Sequence, residues 1–214
     1  MNFIMNNNTK NLIYVSIGTC CFWLSLYLYV PILPIHSTEL GANLEVTGFI
    51  IASYALGQLI FRIPIGILSD LFSRKIFTII AFSLSSLGAL TLGLSENPNQ
   101  LLIGRSITGI SAAGWVSLTV LFSTFFPEDK TQKSVTILMI INTMCVVIAT
   151  FFGGILAENY SNSLTFYISF IIGIIGILFL GISKEPIFEK SSKNYLLSIK
   201  NILKNKTIIR ISII

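Results

Sequence analysis

Apolar residues in this chain come in runs far longer than the strands or helices of a soluble core, separated by short polar turns. Six runs stand out: Leu12–Leu33, Val46–Ser69, Ile76–Leu94, Leu101–Phe126, Val135–Ala157 and Leu164–Ile182. Crossing hydrocarbon takes about 20 mainly apolar residues in a helix, and each run meets that requirement. Only Arg62 and Arg105 carry charge within these limits. Lipid offers no partner to backbone N–H and C=O groups, so every run is predicted to be helical. The expected fold is an all-α membrane protein with six transmembrane helices.

The turns supply direction. The loop 34–45 carries Glu39 and Glu45, the turn 95–100 carries Glu96, the segment 158–163 carries Glu158, and none of the three holds a Lys or Arg. The alternate set is basic: Lys10, then Arg74 and Lys75, then Lys130 and Lys133, then Lys184, Lys190, Lys193, Lys200, Lys204 and Lys206. The positive-inside rule places the basic set in the cytoplasm. A multi-pass protein of the cell membrane with both termini cytoplasmic is therefore expected.

The first run is too long for the apolar region of a signal peptide and no small-residue cleavage site follows it, so it reads as a span that is kept. Residues 1–183 are expected to form one bundle, 184–206 a cytoplasmic linker, and 207–214, where Ile208 to Ile214 turn apolar again, the start of a possible seventh span. An amphipathic tail lying on the membrane is the other reading of that end.

Spans two and five superpose at an offset of 88 residues: Gly66-Ile67-Leu68-Ser69-Asp70 falls on Gly154-Ile155-Leu156-Ala157-Glu158, and Ser73 on Ser161. Spans three and six follow at the same offset. The first copy lies on the basic side and the second on the acidic side, so the pattern predicts two three-helix units of opposite topology, a 3+3 inverted repeat.

Composition narrows the function. Apolar residues make up 53% of the 214 residues and charged residues 11%, against about 25% charged in soluble domains. The net charge of +5 sits in turns and tail rather than along one face, which argues against a nucleic-acid partner. Cys20, Cys21, Cys145 and the sole histidine, His36, show no metal-ligand spacing. There is no phosphate-binding glycine loop, and no intramembrane Ser/His, Asp/Asp or His/Glu constellation of an enzyme. No cofactor is expected, and any transport would draw on a gradient.

The stretch Gly66-Ile67-Leu68-Ser69-Asp70-Leu71-Phe72-Ser73-Arg74-Lys75 resembles the loop 2–3 signature of the major facilitator superfamily, G-x-L-[SA]-D-R-x-G-R-[KR], departing at Leu71 and Ser73. Arg105-Ser106-Ile107-Thr108-Gly109 is similar to that family's R-x-x-x-G signature on span four, and Pro31, Pro34 and Leu40-Gly41-Ala42 also fit. The likeness runs from about residue 12 to 214 and covers the N-terminal half of a twelve-helix member. It implies a gating motif of Gly66, Asp70, Arg74 and Lys75, with Asp70 anchored against a helix N-terminus of the other half. Glu128 and Asp129, on the next cytoplasmic loop, are the expected partners of Arg74. The Gly-Pro signature of drug antiporters is poorly met, since Gly153 and Gly154 are present but Thr150 stands in place of the proline.

Gln58, Arg62 and Gly66 recur one turn apart down one side of span two, a polar stripe expected to line a water-filled path for an anionic or polar solute. Arg105, five residues inside its span, is expected to face a cavity or to hydrogen-bond a neighbour, because an intramembrane arginine costs about 2.5–3.5 kcal/mol on insertion scales. Gly109 and Ala113, on the same face, are expected to permit close helix approach, as are Gly153 and Gly154. Tyr27, which shares a face with Trp23, and Asn142 in mid-span five complete the cavity candidates. No Asp or Glu falls in the middle of any span, so this half offers no evident proton carrier.

The expected function is secondary active or facilitative transport of a small polar solute by alternating access. The bilayer is one partner, and a C-terminal six-helix half or a second copy of the chain is the other. Multidrug efflux is the rival within the class. A truncated or scaffolding membrane protein that transports nothing is the rival from another class.

Overall fold

A computed structural model describes residues 2–185, with side chains from residue 8 onward, and all its regular elements there are helices. The expected linker and seventh span lie outside the described residues apart from positions 184 and 185. Helix α1 spans Asn2–Tyr27 and α2 spans Leu33–Glu39; α3 is Leu44–Leu71, α4 Arg74–Gly93, α5 Pro98–Ala113, α6 Trp115–Ser123, α7 Thr131–Asn159 and α8 Asn162–Ile182. A 3-10 turn, Glu128–Lys130, precedes α7.

Among the described residues, five stretches are long and apolar enough to cross a membrane: Leu44–Leu71, Arg74–Gly93, Pro98–Ser123, Glu128–Asn159 and Asn162–Ile182. They correspond to predicted spans two to six. Predicted span one does not run unbroken to Leu33, because α1 stops at Tyr27 and the chain turns before α2. Pro31 explains the break, since it lacks an N–H and disfavours helical backbone in the residue before it; Pro34 sits in the first turn of α2, where its missing N–H costs nothing. Span four is also divided, at Gly114, where an added Cβ would collide with Ala81 Cβ.

Side-chain caps set four of the helix starts. Asn43 Oδ1 accepts from Val46 N at 2.9 Å and Asn97 Oδ1 from Gln100 N at 3.1 Å. Ser73 Oγ and Ser161 Oγ accept from Ile76 N at 3.2 Å and Leu164 N at 3.3 Å. Gly41, at φ 88, ends α2 in the left-handed conformation that favours glycine.

Helices pack in the order α3, α5, α4, α8, α1, α7, with α6 touching α3, α4 and α7. Small residues and hydroxyls hold them together, as expected where lipid removes the hydrophobic drive between helices. A Cβ on Gly109 would run into the Tyr54 backbone, so α5 lies directly on α3; Gly18 and Gly176 face one another across α1 and α8. Ser111 Oγ donates to Ala81 O at 2.7 Å, Ser86 Oγ to Phe170 O at 2.8 Å, and Ser25 and Ser85 hydroxyls meet at 3.1 Å. The two helices at the ends of the order are the least covered. In their most apolar stretches 11% of α3 and 17% of α7 is buried, against 61% across α5 and α6.

Candidate functional site: a buried arginine among aromatic rings and a charged turn

Arg105 projects from α5 into a cluster of aromatic rings. Its guanidinium carbon lies 4.2 Å from the centroid of the Tyr54 ring on α3 and 5.9 Å from that of Tyr29, in the turn after α1. The residue is 6% exposed, and neither Nε nor Nη1 has a hydrogen-bond partner. The expected hydrogen bond to a neighbouring helix is thus not made by those two atoms; Arg105 is instead held against ring faces, a cation–π arrangement. The Tyr29 hydroxyl faces Thr108 and Arg105 but closes no hydrogen bond of good geometry.

The rings continue away from the arginine. Tyr54 and Tyr27 hydroxyls face one another. Tyr27 lies 5.8 Å from Trp23 by ring centroids, and Trp23 meets Trp115 of α6 edge-on at 5.0 Å. Trp23 Nε1 is buried and likewise unpartnered. Gln58, one turn along α3 from Tyr54, is half-buried, as are Tyr27 and Asn142. Arg62 is exposed on α3 among exposed Leu59, Ile60 and Ile63. The structure therefore brings Tyr27 and Arg105 together through Tyr54 and leaves Arg62 apart from them on an open face. Ala113 is buried and Gly109 sits at the α3 contact. Gly153 is pressed on the Leu28 carbonyl, whereas Gly154 has nothing within 4 Å.

The charged turn lies between α3 and α4. Arg74 Nε donates to Asp70 Oδ1 at 3.1 Å, a pairing of neighbours one helical turn apart; neither Glu128 nor Asp129 is the group at that nitrogen. Lys75 Nζ donates to the carbonyls of Gly181, at 2.9 Å, and of Ser183. These are the end of α8, where a cation is favoured by the helix dipole. Glu185 returns the contact: its Oε2 accepts from Ser73 Oγ at 2.8 Å and its Oε1 from Lys75 N at 3.4 Å. Lys184 N donates to Asn11 Oδ1 at 3.0 Å, adding α1 to the clamp. Gly66 has room, with Val116 Cγ1 at 3.4 Å from an added Cβ.

Sequence reasoning missed Tyr54, Tyr29, Trp115, Ser73 and Glu185. Tyr54 was within reach, one turn before Gln58 on the stripe already noted. Glu185 carried no signal, because its partner lies at Ser73, in another turn.

A family model described as the Major Facilitator Superfamily matches residues 15–214. An uncharacterized transporter of Buchnera aphidicola subsp. Schizaphis graminum is 30% identical over 209 residues, covering 94% of this chain and 52% of the relative. An uncharacterized MFS-type transporter of Methanocaldococcus jannaschii is 28% identical over 191 residues, covering 88% and 49%. The quinolone resistance protein NorB of Staphylococcus aureus (strain JH9) is 28% identical over 189 residues, covering 87% and 41%. The chain thus spans about half the length of the curated relatives it matches. Among solved structures, an auto-inhibited POT family peptide transporter superposes with TM-score 0.71 at 17% identity, over 86% of this chain and 39% of that one. The POT family transporter PepTSo gives 0.72 at 16%, over 92% and 42%. At such identities the likeness is one of fold.

Proposed function

Because the chain belongs to the Major Facilitator Superfamily, a family of multi-pass membrane transporters, we propose that it moves a small polar solute across the cell membrane by alternating access. The transport is secondary active or facilitative. The observation that carries the reading is Arg105, a buried cation with open donors at the centre of a ring cluster reached from α1, α3 and α5. A charge kept at such expense normally faces a pathway.

In this reading the six predicted spans form a 3+3 inverted repeat, with α1 and its following turn as the first. Equal helix limits and equal serine caps at an offset of 88 residues support it: α3 and α4 end and begin around Phe72 and Ser73, α7 and α8 around Tyr160 and Ser161. The thinly covered faces of α3 and α7 receive a second six-helix half, either a continuation of the chain or another copy. Asp70, Arg74, Lys75 and Gly66 form the gate at the cytoplasmic end, and Gln58, Arg62, Tyr27 and Asn142 join Arg105 along the path. Both termini lie in the cytoplasm. Reporter fusions in the α3–α4 turn and in the loop 34–45 should give opposite sidedness.

The test is solute flux into liposomes carrying the protein. Wild type should accumulate or equilibrate a labelled solute from a panel of small polar compounds, and Arg62→Ala and Asp70→Asn should each slow that flux. Wild-type flux left unchanged by both variants rejects the assigned path and gate.

Efflux of toxic compounds is the second reading, favoured by the likeness to NorB. On α7 Thr150 donates back to the Val146 carbonyl at 2.9 Å inside an unbroken helix, where an antiporter-type proline would interrupt the bonding. Host resistance to a drug panel, measured with and without the gene, separates the two readings.

A further inference from the structure

We propose that the cluster around Arg105 binds a planar aromatic monoanion, its carboxylate on the guanidinium and its ring among Tyr54, Tyr27 and Trp23. The inference rests on the transport reading and names the solute class.

The argument begins with atoms that lack partners. Arg105 Nε and Nη1 and Trp23 Nε1 are buried without an acceptor, on side chains belonging to residues that are 6% and 4% exposed. Guanidinium and indole nitrogens only donate, so what completes them must accept. The Tyr29 hydroxyl, also unpartnered and fully buried, can take either role. Buried donors without acceptors are rare in folded proteins, and a bound group is one of the explanations for those that persist.

Charge decides between a neutral acceptor and an anion. The acidic side chains of the described residues all lie at helix ends or in turns, at Glu39, Glu45, Asp70, Glu96, Glu128, Asp129, Glu158 and Glu185. None forms an ion pair with Arg105. The guanidinium therefore has ring faces but no carboxylate countercharge among the described residues, and a carboxylate supplies both countercharge and two parallel acceptors to the fork. Arg62 stands apart and exposed, so a dianion would bring a second charge with no partner. A cationic solute would meet Arg105 as a like charge.

Shape follows from the walls. The Tyr54 ring covers the guanidinium at 4.2 Å, and Tyr27, Trp23 and Trp115 extend the ring surface toward the second open donor. Flat aromatic bodies stack on such surfaces in offset or edge-on contact. Of the two rings over Arg105, Tyr29 is fully buried and Tyr54 half-buried, so the Tyr54 side of the guanidinium is the one nearer the surface.

The chain contains two tryptophans, Trp23 and Trp115, and both stand in this wall, so intrinsic fluorescence reports occupancy directly. The protein as its host makes it, placed in lipid nanodiscs, would be titrated with 4-nitrobenzoate, 4-nitrobenzyl alcohol and 4-nitrobenzylammonium, with absorbance corrected. The anion should quench saturably and bind at least about tenfold more tightly than the other two. Arg105→Lys, which keeps charge but loses the fork, should weaken the anion by several-fold, and Arg105→Gln should abolish its advantage over the alcohol. If the arginine variants do not fold, the three-ligand order on wild type decides alone. Equal or tighter binding of the ammonium or the alcohol, or no saturable quenching by the anion, overturns the proposal. Flux in liposomes is read separately. Anion binding with no flux of any panel compound would reject the transport reading while leaving the site, and flux of a cation without anion binding would do the reverse.

Discussion

At the α3–α4 turn, α3 closes with the Phe72 N–H on the Leu68 carbonyl and Ser73 caps α4. At the α7–α8 turn, 88 positions later, Tyr160 closes on the Leu156 carbonyl and Ser161 caps α8 in the same way. The basic residues mark the difference: Arg74 and Lys75 fall on Asn162 and Ser163. The first turn carries Asp70, Arg74 and Lys75 and is clamped to the end of α8 through Ser73 and Glu185. The second carries Glu158 and is held by Asn162 Nδ2 donating to both oxygens of Glu39 at 2.9 Å. Where the motif usually has glycine, Ser73 makes the cap and the Glu185 bond together. Two turns built on one backbone plan have thus been given different charges, and charge is what the positive-inside rule reads.

The comparison breaks most sharply at Gly153. Its counterpart on α3 is Ile65, half-buried, whereas any Cβ at Gly153 would strike the Leu28 carbonyl. Gly153→Leu should destabilise the fold by about 3 kcal/mol or more, the upper range for overpacking, seen as a loss of monodisperse protein on size-exclusion chromatography. Gly154→Leu, with open space around it, should leave the elution profile intact.

Next in size is the clamp. Lys75→Met removes the cation from the α8 carbonyls and should cost about 1–2 kcal/mol, as for a partly buried charge at a helix end. Glu39→Gln at the other turn should cost about 0.5 kcal/mol or less, since its carboxylate is half exposed and screened. Melting temperatures in nanodiscs test the order; an equal fall in both variants would mean that the two turns are held alike.

The caps should come out closer together. Ser73→Ala and Ser161→Ala should each cost about 1 kcal/mol, with an excess at Ser73 from its bond to Glu185. That excess should vanish in a Glu185→Gln background, and a double-mutant cycle measures it.

The smallest effect is expected at the equivalent glycines. Gly66→Ala and Gly154→Ala both find room and should stabilise their helices by about 0.5–1 kcal/mol. Should Gly66→Ala raise the melting temperature yet slow flux, while Gly154→Ala changes only the former, Gly66 serves movement rather than packing.

Five membrane-crossing helices were legible in the sequence because length and apolarity are local properties. So was the turn between α3 and α4, to within two residues of its helix limits. The first predicted span runs past the end of α1 because a hydropathy pattern treats Leu28 to Leu33 as continuous, although Pro31 interrupts the helix there. Arg105 was singled out from its depth alone, but its surroundings were not. Tyr29, Tyr54 and Trp115 lie on three different elements, and an aromatic residue in an apolar run reads as packing until its neighbours are known.

By itself the sequence determined most of the helical segments, where basic residues alternate with acidic ones between them, and the superfamily to which the chain belongs. Each of those follows from residues close along the chain. Only the tertiary structure decided that Arg105 lies under Tyr54 with two of its nitrogens unpartnered, that Arg62 is exposed on α3 away from the ring cluster, and that Glu185 closes on Ser73. Those outcomes depend on which helix faces meet, and the meeting is set by close contacts such as Gly109 on Tyr54 and Gly18 on Gly176. In lipid, burial of apolar area does not choose among faces; small residues and hydroxyl bonds do, and their geometry is not local to any one helix.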